Sequence, residues 1–353
     1  MIVQDIERQL PDTFFNWVPP LYQQLPYQPE ESPEKVHALL ALQTGHTRMR
    51  MFLLPGKARL LGMVTPASKT ALFGFWEGEN DLASHAQLFA SFEQWALEQG
   101  CNRLEGPKNF NTFHAYRLRI SEPSWQQFNR EPVNPPYYSA LLQALGFEVL
   151  QHFESRKINT AVVPEVYGSK QQLVDSVQSL PFAFIPLTPE SWQAHATAIY
   201  ELIGEVFGQN PGYRAVSEAE FALLYNADYA AMLCPHSSVL LAERSSGRLV
   251  AISLCHPNYS PLQLTEPPCF HTHYPQLQHR TLLAKTQGVH PQYRQQGLMN
   301  YLGAYGMLSF RQYYDDIIFC LMRHDNPSLR FTDPFPYEKA TYAVYGKAIG
   351  RQH

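Results

Sequence analysis

Cysteine pairs, surplus positive charge and long apolar runs are all missing from this chain of 353 residues. Its five cysteines are an odd number without a CxxC pair, which argues against a disulfide framework and against a zinc site. Lys and Arg number 27 against 31 acidic residues, unlike proteins that bind nucleic acid or anionic membranes. No run approaches membrane-spanning length, and the first residues lack a signal-peptide pattern. We expect a cytoplasmic protein with no metal, no nucleic-acid partner and no membrane span, and leave oligomerisation open.

Apolar and aromatic residues are what the chain has in quantity. Apolar residues make up 45% and charged residues 16%, as in globular proteins, and the length suffices for two domains of ordinary size. Tyr, Phe and Trp number 20, 21 and 5. Such a content suits pockets for extended apolar ligands, although buried cores explain it equally well.

The first half predicts an α/β domain, placed at 35–165, behind a proline-rich irregular arm at 1–34. A hairpin of strands 48–54 and 58–64 turns at Pro55-Gly56. It is followed by a strand at 71–77, a long helix at 82–99, a short strand at 101–106, a short helix at 137–145 and a last strand pair at 148–158.

The second half, placed at 178–353 beyond a connector around 163–180, repeats this order. Thr188 or Ser191 is expected to cap a helix at 192–207. The other predicted elements are strand 182–187, helix 218–233, hairpin 238–243 and 248–256, strand 281–289, a helix from Leu298, strand 316–323, short helix 326–331 and strand 341–349.

The most informative stretch joins strand 281–289 to the helix that begins at Leu298. The strand breaks at His290-Pro291 and continues as a polar loop with one glycine, Gly297. The first amides of a helix have no intrahelical partner, and the helix dipole favours negative charge at that end. A strand, a glycine-bearing turn and a helix N-terminus in succession therefore predict an anion-binding loop.

The spacing VxPxYRxxGL in this stretch resembles the signature loop of the GNAT superfamily, the acyl-CoA-dependent N-acyltransferases. The resemblance implies that the loop amides grip the pyrophosphate of coenzyme A, with Met299 standing where the family has Gly or Ala. It also implies that amides near Gly288 and Val289 face the pantetheine arm and the thioester. Asn326 would meet pantetheine, with helix capping as an equal alternative. The implied pyrophosphate residues are Arg294, Gln295, Gln296, Gly297, Leu298 and Met299.

The resemblance covers about 48–158 and 182–349, so it implies two tandem GNAT-like domains, each a mixed central sheet flanked by helices. The first half lacks the loop. Its corresponding stretch at 77–86 reads EGENDLASHA, and the acidic Glu77, Glu79 and Asp81 would oppose a pyrophosphate. We expect coenzyme A to bind in the second half alone, with the first half structural or shaping the acceptor site.

Catalytic residues are less clearly marked. The family often uses a tyrosine to protonate the leaving thiolate, which makes Tyr337 and Tyr342 candidates, with Tyr345 a third; each alone is more typical of a core residue. The start of the signature strand, 281–284, has no carboxylate to act as base. His271 and His273 are candidate bases in the preceding segment, although solvated or hydrogen-bonded loop histidines are the more frequent case.

The expected function is transfer of an acetyl or longer acyl group from acyl-coenzyme A to an amine of a small molecule or peptide, by direct attack on the thioester. Three alternatives stay open. One is a long-chain acyltransferase using acyl-coenzyme A or acyl carrier protein on a peptide or amino acid amine. The others are a Fem-like aminoacyl transferase and a non-catalytic coenzyme A-binding module.

Overall fold

The structure is a computed structural model that describes residues 1–122, 125–163, 170–210 and 212–350. It divides into two compact units. Unit 1 comprises 1–153 together with the C-terminal segment from residue 340, and unit 2 comprises 154–339. Among the described residues, no helix combines the length and apolarity needed to span a membrane.

Unit 1 begins with an edge strand and three short helices and continues into an α/β core. Its strands and helices in chain order are β1 (Ile2–Ile6), α1 (Asp12–Phe15), α2 (Val18–Tyr22), α3 (Pro33–Gln43), β2 (Arg48–Leu54), β3 (Ala58–Val64), β4 (Thr70–Gly78), α4 (Leu82–Glu98), β5 (Arg103–Gly106), β6 (Leu118–Arg119), α5 (Tyr138–Ala144) and the first part of β7 (Glu148–Asn159).

The unit 1 sheet has the order β1-β2-β3-β4-β5, with β4 and β5 parallel and the other neighbours antiparallel. The C-terminal strand β13 (Glu338–Ala348) joins this sheet, because Tyr345 pairs with Gly106 and Tyr342 with Arg119. Apolar residues at helical spacing on α4 pack against the sheet and form the core with Phe52, Phe73 and Tyr345.

Unit 2 starts within β7 and contains the remaining elements. They are α6 (Lys170–Ser176), β8 (Phe182–Pro186), α7 (Pro189–Phe207), α8 (Glu218–Leu224), α9 (Ala227–Met232), β9 (Val239–Glu243), β10 (Leu249–Pro257), α10 (Phe270–His273), β11 (Thr281–Val289), the 3₁₀ helix Pro291–Gln296, α11 (Leu298–Tyr313), β12 (Asp316–Arg323) and the 3₁₀ helix Pro327–Phe331.

The unit 2 sheet has the order β12-β11-β10-β9-β8, antiparallel except for the parallel pair of β11 and β12. One face carries α11, whose Leu298 and Leu302 are buried against Val250 and Val289. The helix α7 begins in a capping box, since Thr188 Oγ1 accepts from the Ser191 amide at 3.2 Å and Ser191 Oγ accepts from the Thr188 amide at 2.8 Å.

The predicted hairpins and long helices are present, and the strand pair expected at 148–158 is one continuous strand, β7. Three further expectations differ from the structure. The arm is not irregular throughout: it supplies β1, paired with β2, and two short helices. The helix expected at 218–233 is two helices, because the Asn226 side chain accepts from the Tyr229 amide and starts a new one. The third difference concerns the last strand, predicted in the second domain but paired with β5 in unit 1.

The boundaries of the two compact units also differ from those of the predicted domains at 35–165 and 178–353. Their boundary falls within β7, between Phe153 and Glu154, rather than in the connector around 163–180. Part of that connector lies outside the described residues. Apolar alternation predicts that a strand exists, but it does not say which sheet receives it.

Candidate functional site

The loop between β11 and α11 has the geometry of an open helix N-terminus. Gly297 precedes α11 with φ of 70°, a left-handed conformation that glycine adopts without strain. Within the described part of the chain, no side chain caps α11. The amides of Leu298 and Met299 therefore lie at the start of the helix without a capping side chain, where the dipole favours an anion. Met299 itself is 44% exposed.

Arg294 is fastened to the protein rather than extended from it. Its Nη2 donates to the Val206 carbonyl at 2.8 Å, and its Nε donates to the Val289 carbonyl at 3.3 Å. Val206 belongs to the last turn of α7. The guanidinium thus joins the loop to α7 and to the end of β11, while its remaining N–H groups keep their capacity for an anion. Its neighbours Gln295 and Gln296 are exposed.

His290, which sequence reasoning did not single out, supports the same loop. Its Nδ1 accepts from the Gln292 amide at 3.2 Å, and its Nε2 lies 2.8 Å from Nη2 of Arg248. Nε2 lies 2.6 Å from Oε2 of Glu205 on α7, and the Arg248 guanidinium lies 3.7 Å from that oxygen. A histidine before a proline at a strand end gives no pattern from which this contact can be foreseen.

Gly288 allows α7 to approach β11 closely. A Cβ built on Gly288 would lie 2.2 Å from Cγ1 of Val206, far inside van der Waals contact. The last turn of α7 therefore contacts the end of β11 and the loop after it at three points, through Gly288, His290 and Arg294. This turn acts as the support on which the loop is built.

The strands β11 and β12 form a fork. Their parallel ladder runs from Thr281 and Asp316 to Ala284 and Phe319 and then stops, although both strands continue. The register between β10 and β11 shifts at this level, leaving Lys285 as the extra residue of a bulge. A bulge bends and twists its strand, so β11 turns away from β12 where the ladder ends. The two strands therefore diverge beyond Ala284 and Phe319.

The predicted catalytic residues fall in different units. Tyr337 is 39% exposed in unit 2, with the Arg156 guanidinium 4.1 Å from its ring centre. Tyr342 belongs to unit 1, where it is fully buried and its hydroxyl donates to Glu131 at 2.6 Å. The reason is the pairing of β13 with the unit 1 sheet. Tyr345 lies in the same strand and packs in the unit 1 core.

The two candidate histidine bases differ in environment. His273 is 4% exposed; its Nδ1 accepts from the Cys269 amide at 2.9 Å and its Nε2 lies 3.3 Å from Oε1 of Glu266. Those contacts make it a local structural residue of α10. His271 is exposed on the same short helix. Asn326 is also exposed, and its side chain accepts from the Ser328 amide at 3.0 Å, so the capping role is present.

The corresponding place in unit 1 is closed by the chain itself. There the parallel ladder of β4 and β5 ends at Leu72 and Glu105. The Lys108 amide then donates to the Phe73 carbonyl at 2.8 Å, and Oδ1 of Asn109 accepts from the Phe75 amide at 2.9 Å. The residues that follow β5 thus close the space between β4 and β5 in unit 1, whereas β11 and β12 diverge in unit 2.

The helix that follows β4 is capped as well. Asp81 begins α4, and its carboxylate accepts from the Ala83 amide at 3.1 Å and from the Ser84 hydroxyl at 2.5 Å. These hydrogen bonds keep the pKa of Asp81 below its usual value, so the carboxylate is ionised at neutral pH. A negative side chain therefore takes the position at which Gly297 leaves α11 open, which disfavours a phosphate there.

Just before that cap, unit 1 holds a buried carboxyl group. Glu77 accepts from the Tyr22 hydroxyl at 2.9 Å and from the Tyr138 hydroxyl at 2.6 Å. Burial raises the pKa of Glu77 to about 7, against the opposing effect of the nearby Arg59 guanidinium. The hydroxyl of Tyr22 belongs to the arm, so this contact fastens the arm to β4.

Comparison with known proteins identifies the fold. Neither a family model nor a curated protein matches the sequence. Solved structures do match: a tandem GNAT protein from the clavulanic acid biosynthesis pathway is similar with a TM-score of 0.54 at 12% identity, covering 100% of each chain. A probable N-acyltransferase from Enterococcus faecalis V583 has a TM-score of 0.55 at 9% identity, covering 99% of this chain and 72% of that one.

A third similar structure is a glucosamine N-acetyltransferase region of a fungal multi-domain β-N-acetylglucosaminidase. Its TM-score is 0.53 at 10% identity, covering 98% of this chain and 38% of that one. This chain therefore has the fold of tandem GNAT proteins, a mixed α/β architecture, and the predicted fold is confirmed. At identities of 9–12% the likeness concerns the fold alone.

Proposed function

We propose that unit 2 binds an acyl-coenzyme A and transfers its acyl group to an amine. The observation that carries this proposal is a single strand, β11, that forks from β12 and then leads into a helix whose N-terminal residue, Gly297, leaves the first amides uncapped. The divergence of β11 and β12 leaves space for an extended pantetheine chain, and the helix start offers amides to its pyrophosphate.

The contrast between the two units supports a single site. In unit 1 the Asn109 side chain takes up an amide of β4, and Asp81 caps the following helix. Both features remove the donors that a coenzyme A molecule would need. In unit 2 we assign Gly288, Val289 and the loop from Arg294 to Met299 to cofactor binding, and Asn326 to the same site through its position after β12.

The proposed reaction is direct attack. The amine nitrogen bonds to the thioester carbonyl carbon, the C–S bond breaks, the amine gives up a proton and coenzyme A leaves as a thiol. Tyr337 is the proposed proton donor to the sulfur. Cys234 and Cys255 take no part in the proposed reaction, since burial raises the pKa of Cys255 to about 12 and that of Cys234 above its usual value, which keeps both thiols protonated.

The proton acceptor is assigned to the exposed His271 or to a water chain, because His273 is engaged by Cys269 and Glu266. The lack of a carboxylate base on the first half of β11 favours a second candidate function. The first half of β11, Thr281 to Ala284, carries no carboxylate, and a protein that binds coenzyme A without turning it over would need none. A non-catalytic coenzyme A-binding module is therefore the second candidate.

Calorimetric titration with acetyl-, octanoyl- and palmitoyl-coenzyme A tests the proposal. We expect one binding site per chain, and the tightest ligand identifies the acyl length. Absence of binding to all three would remove the proposal. Thiol release against a panel of small amines and lysine peptides then separates the enzyme from the binding module, since only the enzyme releases free coenzyme A in an amine-dependent way.

A further inference from the structure

The fork in unit 2 contains a strained residue where no glycine stands. Among the described residues of unit 2, Gln263 and Leu321 are the non-glycine residues with positive φ, and Leu321, at 56°, lies inside a strand. A bulky side chain in this region is strained and persists only where the surroundings hold it. Leu321 comes two residues after Phe319, where the ladder with β11 ends.

One hydroxyl holds this conformation. The Leu321 amide donates to Oγ of Ser155 at 3.0 Å, and Ser155 is completely buried. Ser155 lies on the part of β7 that neighbours β12 in unit 2. The bulge at Lys285 turns β11 away on one side of the fork, and the Ser155 contact fixes the bend of β12 on the other.

Resting on the proposed function, we infer that Ser155 is a positioning residue that sets the opening of the fork for the acyl-pantetheine part of the ligand. It acts through the Leu321 backbone, at the level of the fork. The nucleotide part of the ligand is assigned to the separate loop around Gly297, supported by α7. Loss of the Ser155 hydroxyl should therefore affect the two halves of acyl-coenzyme A differently.

The test compares two ligands on the full chain by calorimetry: acetyl-coenzyme A and 3′-phospho-ADP, its nucleotide part. We expect Ser155→Ala to weaken acetyl-coenzyme A binding about tenfold, since a buried amide loses its acceptor, and to leave 3′-phospho-ADP binding unchanged. Ser155→Thr keeps the hydroxyl and should restore the affinity. If Ser155→Ala does not fold, Ser155→Cys preserves the volume with a weak acceptor and serves for the same comparison.

A second variant ties the effect to Leu321. Glycine adopts positive φ without support, so the effect of Ser155→Ala should shrink in the Leu321→Gly background. Ser237→Ala is the matched control: this serine of unit 2 is 1% exposed, its hydroxyl lies 3.0 Å from that of Ser309, and its loss should change neither affinity.

The outcomes separate the two proposals. Unchanged acetyl-coenzyme A affinity in Ser155→Ala, or equal weakening of both ligands, would overturn the positioning role while leaving the proposed function in place. A wild-type chain that binds neither ligand would remove the proposed function and this inference with it.

Discussion

At the scale of single residues, the loop cation Arg294 is already hydrogen-bonded to the protein. Its guanidinium donates to Val206 at 2.8 Å and to Val289 at 3.3 Å. A planar guanidinium can hold carbonyls with some N–H groups and present others to a phosphate. We expect Arg294→Ala to weaken acetyl-coenzyme A binding by about tenfold or more, because both the loop support and the charge are lost.

Two variants control that measurement, again by calorimetry. Arg294→Lys keeps the charge but not the fork geometry, so its affinity should fall between wild type and Arg294→Ala. Asp81→Asn, at the capped helix of unit 1, should leave acetyl-coenzyme A affinity unchanged. Asparagine caps a helix as well as aspartate does, so the variant should keep its fold. Equal losses in Arg294→Ala and Asp81→Asn would contradict the one-site proposal.

The buried carboxyl group of Glu77 makes the stability of unit 1 depend on pH. Its pKa is raised to about 7 in the folded chain from an ordinary value of 4.5, so the folded state holds a proton that the unfolded state releases between these values. Protonation of Glu77 therefore stabilises the folded state of unit 1 fully below about pH 4.5, and this stabilisation is lost as the pH rises through 7. A shift of this size corresponds to roughly 3 kcal/mol at most.

Replacing Glu77 by Gln should therefore flatten the stability profile. We expect the melting temperature of wild type to fall between pH 6 and pH 8, and that of Glu77→Gln to fall less. The exposed neighbour Glu79, changed to Gln, is the control and should behave as wild type. Identical pH slopes for wild type and Glu77→Gln would show that the carboxyl group does not titrate in this range.

At the scale of elements, the contact of α7 with β11 decides how the loop is held. Gly288→Ala places a methyl group 2.2 Å from Cγ1 of Val206, so the Val206 side chain or α7 itself must move. Overpacking of this kind typically costs about 1–3 kcal/mol. We expect chemical denaturation to show that loss, and acetyl-coenzyme A affinity to fall because His290 and Arg294 are fastened to the same turn.

A compensating change tests whether the affinity lost in Gly288→Ala comes from the steric clash with Val206. Val206→Ala removes the clashing methyl and leaves Cβ at 3.4 Å, so the double variant Gly288→Ala, Val206→Ala should recover part of the affinity lost by Gly288→Ala. Additive losses in the double variant would mean that the glycine is needed for another reason.

At the scale of the whole molecule, the last strand of the chain belongs mainly to unit 1, the unit that also contains the first residues. Tyr345 on β13 is 1% exposed, packs in the unit 1 core and lies with its hydroxyl 2.6 Å from that of Ser139. Truncation of a buried aromatic ring costs about 3–5 kcal/mol. We expect Tyr345→Ala to lower hydrogen-exchange protection in α4 and β5, while β10 and β11 keep theirs.

The reciprocal variant lies in the core of unit 2. Leu302→Ala removes a fully buried side chain of α11 and should lower protection in β10 and β11 instead. If both variants lowered protection equally in both units, the division of the chain at Glu154 and Lys339 would have no energetic meaning.

The sequence by itself determined the local features of this protein. Hydrophobic periodicity predicted α4 and α7, turn residues predicted the hairpin of β2 and β3, and the glycine-bearing loop after β11 was found by its spacing. The absence of that loop from the first half also followed from residues alone, and the capped start of α4 agrees with it. These features depend on neighbours along the chain, which a sequence displays directly.

Only the tertiary structure decided what depends on residues distant in sequence. It paired β13 with β5, which placed Tyr342 in unit 1, and it joined Arg294 to Val206, 88 residues earlier. It likewise brought the Ser155 hydroxyl to the Leu321 amide across 166 residues. Strand partners and buried hydrogen bonds are selected by packing of the whole chain, and no local pattern of residue types records that selection.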